Sequence, residues 1–197
     1  MAKIDKVIHN KFKANSYIFM EDNQCIIIDC NTNTLPYLQE HNLEPAYLLV
    51  THEHFDHVEG VKKLKECFPN MIIVASKITS SLMKDAKTNM SFYLDGIGIE
   101  EIEADVYIED KSSFIFKENN IQTYYTPGHT AGGIIIHIGN VLFTGDTLLN
   151  IKTPTNLPNS SKKQLLESIE FIDSNFNNDT IFYQGHGDPI YGIQVCT

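Results

Sequence analysis

The sequence predicts a layered α/β fold in one domain, and three observations predict it. The chain has 197 residues, toward the upper end of the usual single-domain range. Short apolar runs rich in β-branched residues alternate with segments whose apolar residues recur at helical spacing. The two halves follow a weakly similar plan of strands plus helices, and no linker, fixed-period repeat or low-complexity tract divides them. Residues 1–197 are therefore read as one domain in which sheets and helices bury their apolar faces on one another.

The elements follow in order. SYIFM (16–20) and QCIIIDC (24–30) read as strands around an EDN turn. TLPYLQEHN (34–42) fits a helix, and AYLLVTH (46–52) is a continuous apolar run, as a strand buried on both faces should be. In HVEGVKKLKECF (57–68), Val58, Val61, Leu64 and Phe68 recur at helical spacing. MIIVAS (71–76) reads as another buried strand, and ITSSLMKDAKTNM (78–90) as a helix. SFYLDGIGIEE (91–101) mixes glycines and aromatics with little period and reads as a mobile loop. SFIFKENNIQTYYT (113–126) predicts two strands around ENN. GGIIIHIGNVLFTGD (132–146) predicts two more around Gly139-Asn140, with a loop opening at Gly145. KKQLLESIEFIDSNF (162–176) is an amphipathic helix with Leu165, Ile169 and Ile172 on one stripe. TIFYQGHGDP (180–189) is a last strand running into a loop.

Composition narrows the function. A hydrophobic fraction of 42% allows a sizeable core. No apolar run reaches the roughly 18 residues of a membrane span, and the charged start MAKIDKVIHNKF lacks the apolar core of a signal peptide. The expected location is the cytoplasm, where Cys25, Cys30, Cys67 and Cys196, with no C-x-x-C pair among them, are reduced packing thiols. The formal net charge is −10, and the run EEIEADVYIED (100–110) holds six acids and no base. That balance argues against a nucleic-acid partner and leaves a small-molecule substrate and no membrane partner as the expectation. All fifteen basic residues are lysines, so no planar arginine fork is present to clamp an anionic substrate.

The chemistry concentrates in THEHFDH (51–57), which carries three of the eight histidines. His52, His54, Asp56 and His57 fan out where a strand gives way to a helix. Imidazole nitrogens and carboxylate oxygens bind zinc at about 2.0–2.2 Å, whereas packing alone does not explain so many polar atoms at one strand end. Three later stretches repeat the design of an apolar strand ending in a small-residue turn. YYTPGHTAGG presents His129, LFTGDTL presents Asp146, and FYQGHGDP presents His186. His9, His41 and His137 have no such context and read as surface or strand residues. Cys30, beside Asp29, reads as a core or loop thiol.

The order THEHFDH, PGHT, TGDT, GHG resembles the metallo-β-lactamase superfamily, and within it the glyoxalase II-like hydrolases. The likeness runs from Asn15-Ser16-Tyr17 and Ile28-Asp29 to Gly185-His186-Gly187. It implies a four-layer αββα sandwich with a two-metal site at one edge of the sheets. His52, His54 and His129 would hold the first ion, Asp56, His57 and His186 the second, and Asp146 would bridge them. Asp29 would orient the ligands from behind. The cofactor implied is two zinc ions, with iron or manganese as alternatives. Ions about 3.5–4 Å apart would share a hydroxide that attacks an acyl carbonyl, with Asp56 orienting it and accepting its proton. No serine or cysteine nucleophile is needed, and no G-x-S-x-G elbow is present.

The expected function is therefore dinuclear zinc-dependent hydrolysis of a small thioester or ester. Two departures bear on the substrate. Glyoxalase II enzymes continue into a helical region that helps hold glutathione, whereas eleven residues follow His186 here. A Gly-Arg pair common in the family after the bridging aspartate is replaced by NIKTPTNLPNSS (150–161), where Lys152 is the nearest cation. Position alone makes this stretch and 91–101 the expected pocket walls, with Tyr93 and Lys152 as substrate-binding candidates. A lactonase or β-lactamase-like amide hydrolase shares the same ligands. A mono-iron persulfide dioxygenase would need only His52, His129 and Asp146. A non-catalytic binding protein would not need the complete set, and an RNA-processing nuclease would want a basic arm.

Overall fold

In the computed structural model, which describes residues 3–192, two six-stranded sheets lie face to face. The first half begins with β1 (Lys3–Ile8), β2 (Asn15–Glu21) and β3 (Gln24–Ile28), an antiparallel meander. Helix α1 (Thr34–Glu40) crosses to β4 (Glu44–Leu49), α2 (Phe55–Val58) and α3 (Val61–Cys67) cross to β5 (Ile72–Ser76), and α4 (Lys77–Leu82) and α5 (Phe92–Asp95) precede β6 (Val106–Ile108). These crossovers make β3 to β6 parallel neighbours, so the first sheet has the order β1-β2-β3-β4-β5-β6. The second half opens with the antiparallel meander β7 (Lys111–Phe116), β8 (Asn119–Tyr125), β9 (Ile134–Ile138) and β10 (Val141–Gly145). One long helix, α6 (Lys162–Asn175), then crosses to β11 (Ile181–Gln184), parallel to β10, with the short β12 (Ile190–Tyr191) at the edge.

The two-residue period of the strands sorts side chains into layers. Ile26 and Ile28 of β3 join Ile134, Ile136, Ile138 and Phe143 in the core between the sheets. Cys25 and Ile27, alternating with them, face outward onto Leu38 of α1, Val58 of α2 and Leu64 of α3. In the second sheet, Ile135 and Leu142 turn outward against Ile172 of α6 and Phe176. The result is helices, sheet, sheet, helix, the αββα order that the resemblance implies. Both crossover regions read as near-continuous apolar runs because their strands are covered on both faces.

Several expectations shift. The helix expected over 57–68 is two helices. The His57 carbonyl accepts from the Cys30 amide at 2.7 Å, and the Gly60 amide donates to the Cys30 carbonyl at 3.1 Å. Helix hydrogen bonds yield there to bonds with the loop after β3. The helix expected over 78–90 stops at Leu82, since Asp85 Oδ1 instead accepts from the Lys87 and Thr88 amides at 2.9 and 3.0 Å. The loop expected over 91–101 contains the one-turn helix α5, and Ser91 and Asn89 tie it down: the Ile99 amide donates to Ser91 Oγ at 2.7 Å, and Asn89 Nδ2 to the Ile99 carbonyl at 2.9 Å. Strand β4 ends at Leu49 rather than running to His52. The edge strands β1, β6 and β12 were not expected; β6 lies inside the acidic run 100–110. Cys25 and Cys30 are buried packing thiols, but Cys67 is exposed at the end of α3, and Cys196 lies outside the described residues.

One acid of that run also holds an element in place. Glu101 is buried, and its Oε2 accepts from the Lys62 amide at 2.6 Å, at the start of α3. Burial pushes its carboxyl up to about 7, only partly offset by the Lys62 N–H. Between its ordinary value of 4.5 and about 7, the folded chain holds a proton there that the unfolded chain does not. This contribution to stability is complete below that window and is lost as pH rises through it. Thermal unfolding of Glu101→Gln, which still accepts from Lys62 but cannot titrate, should show a smaller fall in Tm between about pH 5 and 8 than the parent chain. Superimposable profiles would refute this assignment.

Candidate metal centre

The site stands at one edge of the sandwich, on the loops that leave the C-terminal ends of five strands. Asp29 follows β3, and His52 to His57 follow β4. His129 follows β8, Asp146 follows β10, and His186 follows β11. Strands β3 and β4 are parallel, as are β10 and β11, and β8 runs with β10 across β9, so each sheet presents these ends together. The halves are joined beside the site. The Asn15 amide donates to the Gly185 carbonyl at 2.7 Å, Asn15 Nδ2 to the Gly187 carbonyl at 2.8 Å, and Tyr17 Oη to the Gln184 carbonyl at 2.6 Å. Asn15 Nδ2 also donates to Tyr17 Oη at 2.9 Å within β2, so the pair acts as one polar unit whose bonds to the other sheet fix the position of His186 relative to β2.

Asp29 organises the first half of the site. Its Oδ1 accepts from the Thr51 amide at 2.7 Å, and its Oδ2 accepts from Thr51 Oγ1 at 2.7 Å and pairs with His57 Nδ1 at 2.9 Å. Asp29 sits at φ 59°, a left-handed conformation that Asp tolerates better than most residues. By taking the Thr51 amide, it draws the chain out of the sheet just before His52. Although Asp29 lies within 4.8 Å of His52 and His57 nitrogens, both of its oxygens are already engaged, so it orients ligands rather than serving as one.

The other histidines are aimed in the same way. Thr51 Oγ1 lies 2.9 Å from His52 Nδ1, leaving His52 Nε2 facing the centre. The Pro154 carbonyl holds His129 Nδ1 at 3.0 Å, leaving His129 Nε2 inward, 3.1 Å from His54 Nδ1. Two groups result. The free ligand atoms of His52, His54 and His129 lie within 4.8 Å of one another, as do those of Asp56, His57 and His186. Asp146 stands between them: its Oδ2 is 3.5 Å from both His129 Nε2 and His186 Nε2, and its Oδ1 is 3.8 Å from His57 Nε2. His186 Nε2 is 3.6 Å from Asp56 Oδ2.

These separations fit metal better than hydrogen bonds. Two ligands on one tetrahedral ion at roughly 2.1 Å stand about 3.4 Å apart, while N–H···O bonds cluster near 2.9 Å. The buried His52 Nε2 and Asp146 Oδ1 have no hydrogen-bond partner among the described residues, a state that costs about 1–3 kcal/mol per group if nothing else binds. Electrostatics point the same way. Burial, reinforced by His129, His57 and His186, pulls the His54 imidazole down to about 3, and His52 is also lowered by burial and its neighbouring imidazoles. Both are thus neutral ligands at ordinary pH. Burial would also lower His57, but Asp56, Asp29 and Asp146 outweigh it and raise the imidazole to about 10. Burial alone would raise Asp146, yet His57, His129 and His186 hold its carboxyl below the usual range. Gly185 leaves the space this carboxylate occupies, since a Cβ there would lie 2.1 Å from Asp146 Oδ1.

The seven residues picked out as metal ligands in the sequence thus converge, with Asp29 behind them. Lys152 lines a cavity that Tyr93, 63% exposed on α5, does not. Among the histidines without metal context, His41 is exposed and stacks on Tyr37, and His137 lies on β9. His9 is neither on the surface nor in a strand: it is buried just after β1, its Nε2 2.5 Å from Glu59 Oε1. Two groups that orient the ligands were not picked out from the sequence. The Pro154 carbonyl orients His129 from twenty-five residues away. Thr51 was visible only as the first letter of its motif. Glu53, between two ligand histidines, is wholly buried, and burial pushes its carboxyl up to about 7.

Comparison with known proteins places this geometry. The profile of the metallo-β-lactamase superfamily matches residues 9–186. A probable metallo-hydrolase of Bacillus subtilis, YqgX, is 28% identical over 181 residues, covering 89% of this chain and 85% of that protein. A hydroxyacylglutathione hydrolase of Tolumonas auensis is 26% identical over 188 residues, covering 93% of this chain but 66% of that protein. The chain thus spans just under two thirds of that relative's length. The solved structure of BLEG-1, described as a B3 metallo-β-lactamase, superposes with a TM-score of 0.88 at 24% identity, covering 95% of this chain and 93% of that one. This last likeness speaks for the fold.

If Asp29 aims His57 and Thr51, Asp29→Asn should keep the fold but weaken divalent-metal binding by about 10–100-fold, the range seen when partners of metal ligands are removed. Titration against a competing chelator measures it, with circular dichroism as the control. Unaltered affinity in a folded variant would show that Asp29 does not aim the ligands.

Proposed function

Because the chain belongs to the metallo-β-lactamase superfamily, we propose that it is a dinuclear zinc-dependent hydrolase that cleaves a small thioester or ester. The observation that carries this reading is the convergence of His52, His54, Asp56, His57, His129, Asp146 and His186, with buried ligand atoms that have no partner among the described residues. Imidazoles and carboxylates suit zinc, with iron or manganese as alternatives. Two such ions would supply Lewis acidity toward an acyl carbonyl and acidify a water molecule.

The chain's own residues account for the rest. Asp56 would orient the attacking water and accept its proton: its Oδ2 lies in the second group, 3.6 Å from His186 Nε2. His186 is the most exposed ligand, and its side marks the approach for substrate. A covalent route through cysteine is disfavoured. Cys30 is buried outside the ligand groups with its thiol pushed up by burial, and Cys25 is pushed up to about 12.

The likeness to a hydroxyacylglutathione hydrolase supports a thioester. A lactone or amide would use the same ligands and differ in the surrounding pocket. The net charge of −10 supports a small-molecule substrate rather than nucleic acid. No helix among the described residues is long and apolar enough to cross a membrane. The unpaired Cys25, Cys30 and Cys67 support a cytoplasmic setting.

Elemental analysis of protein purified without added metal, beside His129→Ala, tests the reading. The expected result is about two zinc ions per chain, fewer in the variant. Hydrolysis of small thioesters should fall by more than the roughly 10–100-fold that ligand partners account for. Chelation should lower Tm, since His52 Nε2 and Asp146 Oδ1 would be left buried without partners among the described residues. One iron per chain with oxygen uptake would replace this reading with a dioxygenase, and absence of metal from both proteins would overturn it.

A further inference from the structure

Between the stretch that follows Asp146 and α6 lies a cavity of about 480 Å³, within the range of small-ligand sites. One wall is the loop after Asp146, with Leu148, Leu149 and Ile151; the other is α6, with Leu165, Leu166 and Ile169. Leu165 and Leu148 are buried, but Ile151 and Leu166 are 68% and 57% exposed, so apolar surface is left facing water at the rim. The stripe of α6 that closes the core runs through Leu165, Ser168 and Ile172. Leu166 is therefore not needed for that packing.

The charge of the cavity is opposite to that of the chain. Lys152 and Lys162 line it, and no carboxylate among the described residues does, in a protein whose formal net charge is −10. Lysine holds an anion as a point charge on a flexible stem, without the directional demand of a guanidinium. Apolar walls with two ammonium groups complement a molecule that is aliphatic along its length and anionic at one point.

The walls of the cavity are tied to the loop that carries His129. The Pro154 carbonyl that holds His129 Nδ1 lies between Thr153 and Thr155, both of which line the cavity. Helix α6 is tied to the loop carrying His129: the Ser161 amide donates to the Gly128 carbonyl at 2.7 Å, and Ser168 Oγ to the Pro127 carbonyl at 2.7 Å. The contact is close enough to exclude a side chain at residue 128, because a Cβ on Gly128 would lie 2.2 Å from the Leu165 amide nitrogen.

We propose that this cavity is the substrate subsite for an anionic amphiphile. Its aliphatic portion packs between the 148–151 loop and α6, and its negative group meets Lys152 and Lys162. The inference rests on the hydrolase reading only in naming the bound molecule a substrate. It makes that substrate an aliphatic ester or thioester carrying a negative charge.

Binding without chemistry tests it. The probe is 1-octanesulfonate, whose sulfonate is a poor metal ligand, titrated calorimetrically into the protein as purified. Methanesulfonate serves as the short-chain control. Saturable binding of the octyl compound is expected, weakened about fivefold or more by Lys152→Ala and by Leu166→Ser. Both are exposed positions where the fold tolerates change. Methanesulfonate should bind far more weakly, and octanesulfonate should compete with substrate. No saturable binding, or equal affinity in parent and both variants, overturns the subsite, and persistent thioesterase activity would then leave the hydrolase reading standing. Variant-sensitive binding without hydrolysis would instead remove that reading and keep the subsite.

Discussion

A single buried carboxylate sets the terms for the rest of the site. Asp29 accepts from a backbone amide and a hydroxyl of the same residue, Thr51, and pairs with the ring of His57. Burying a charge is costly unless hydrogen bonds replace water, and three short contacts meet that condition. Each contact also does geometric work. The amide bond ends β4 and turns the chain, the hydroxyl passes the constraint on to His52, and the imidazole contact selects which nitrogen of His57 faces the centre. Without Asp29, the H-x-H-x-D-H segment would still hold the right atoms, but nothing would aim them.

The site depends equally on the joint between the sheets. Asn15 and Tyr17 spend their polar groups on carbonyls of Gln184, Gly185 and Gly187 in the other sheet. Sheets packed only by Ile and Phe could slide by a fraction of a residue at little cost, because apolar contact is non-directional. Directional hydrogen bonds beside the site prevent that, and they do so where a small displacement would pull His186 away from Asp56 and His57.

Much of this was legible in the sequence, for identifiable reasons. The metal ligands were visible because each sits in a short stretch where polar residues interrupt an apolar run. The core strands were visible because burial on both faces leaves unbroken Ile and Leu. The hairpin at Gly139-Asn140 lies where its turn residues predicted. What escaped depends on distant partners. Edge strand β1, with three lysine-or-aspartate positions among six residues, exists because β2 pairs with it. The early end of α4 follows from a side chain capping amides downstream, and the division of 57–68 from bonds to the loop after β3. His9 looked like a surface residue because nothing nearby in sequence announces Glu59. The Pro154 carbonyl shows the limit most clearly, since backbone atoms leave no mark in a residue pattern.

The division of ligands between the halves bears on how the molecule comes into being. Asp29, His52, His54, Asp56 and His57 are made first, His129 and Asp146 later, and His186 close to the end of the described chain. On the ribosome, neither group is complete when the first sheet emerges. The first closes once β8 has delivered His129, and the second waits for β11, which cannot dock on β10 until α6 has been made to carry it across. The second group therefore cannot assemble in the nascent chain until nearly the whole sandwich has been translated. Assembly of that group would mark the completion of folding.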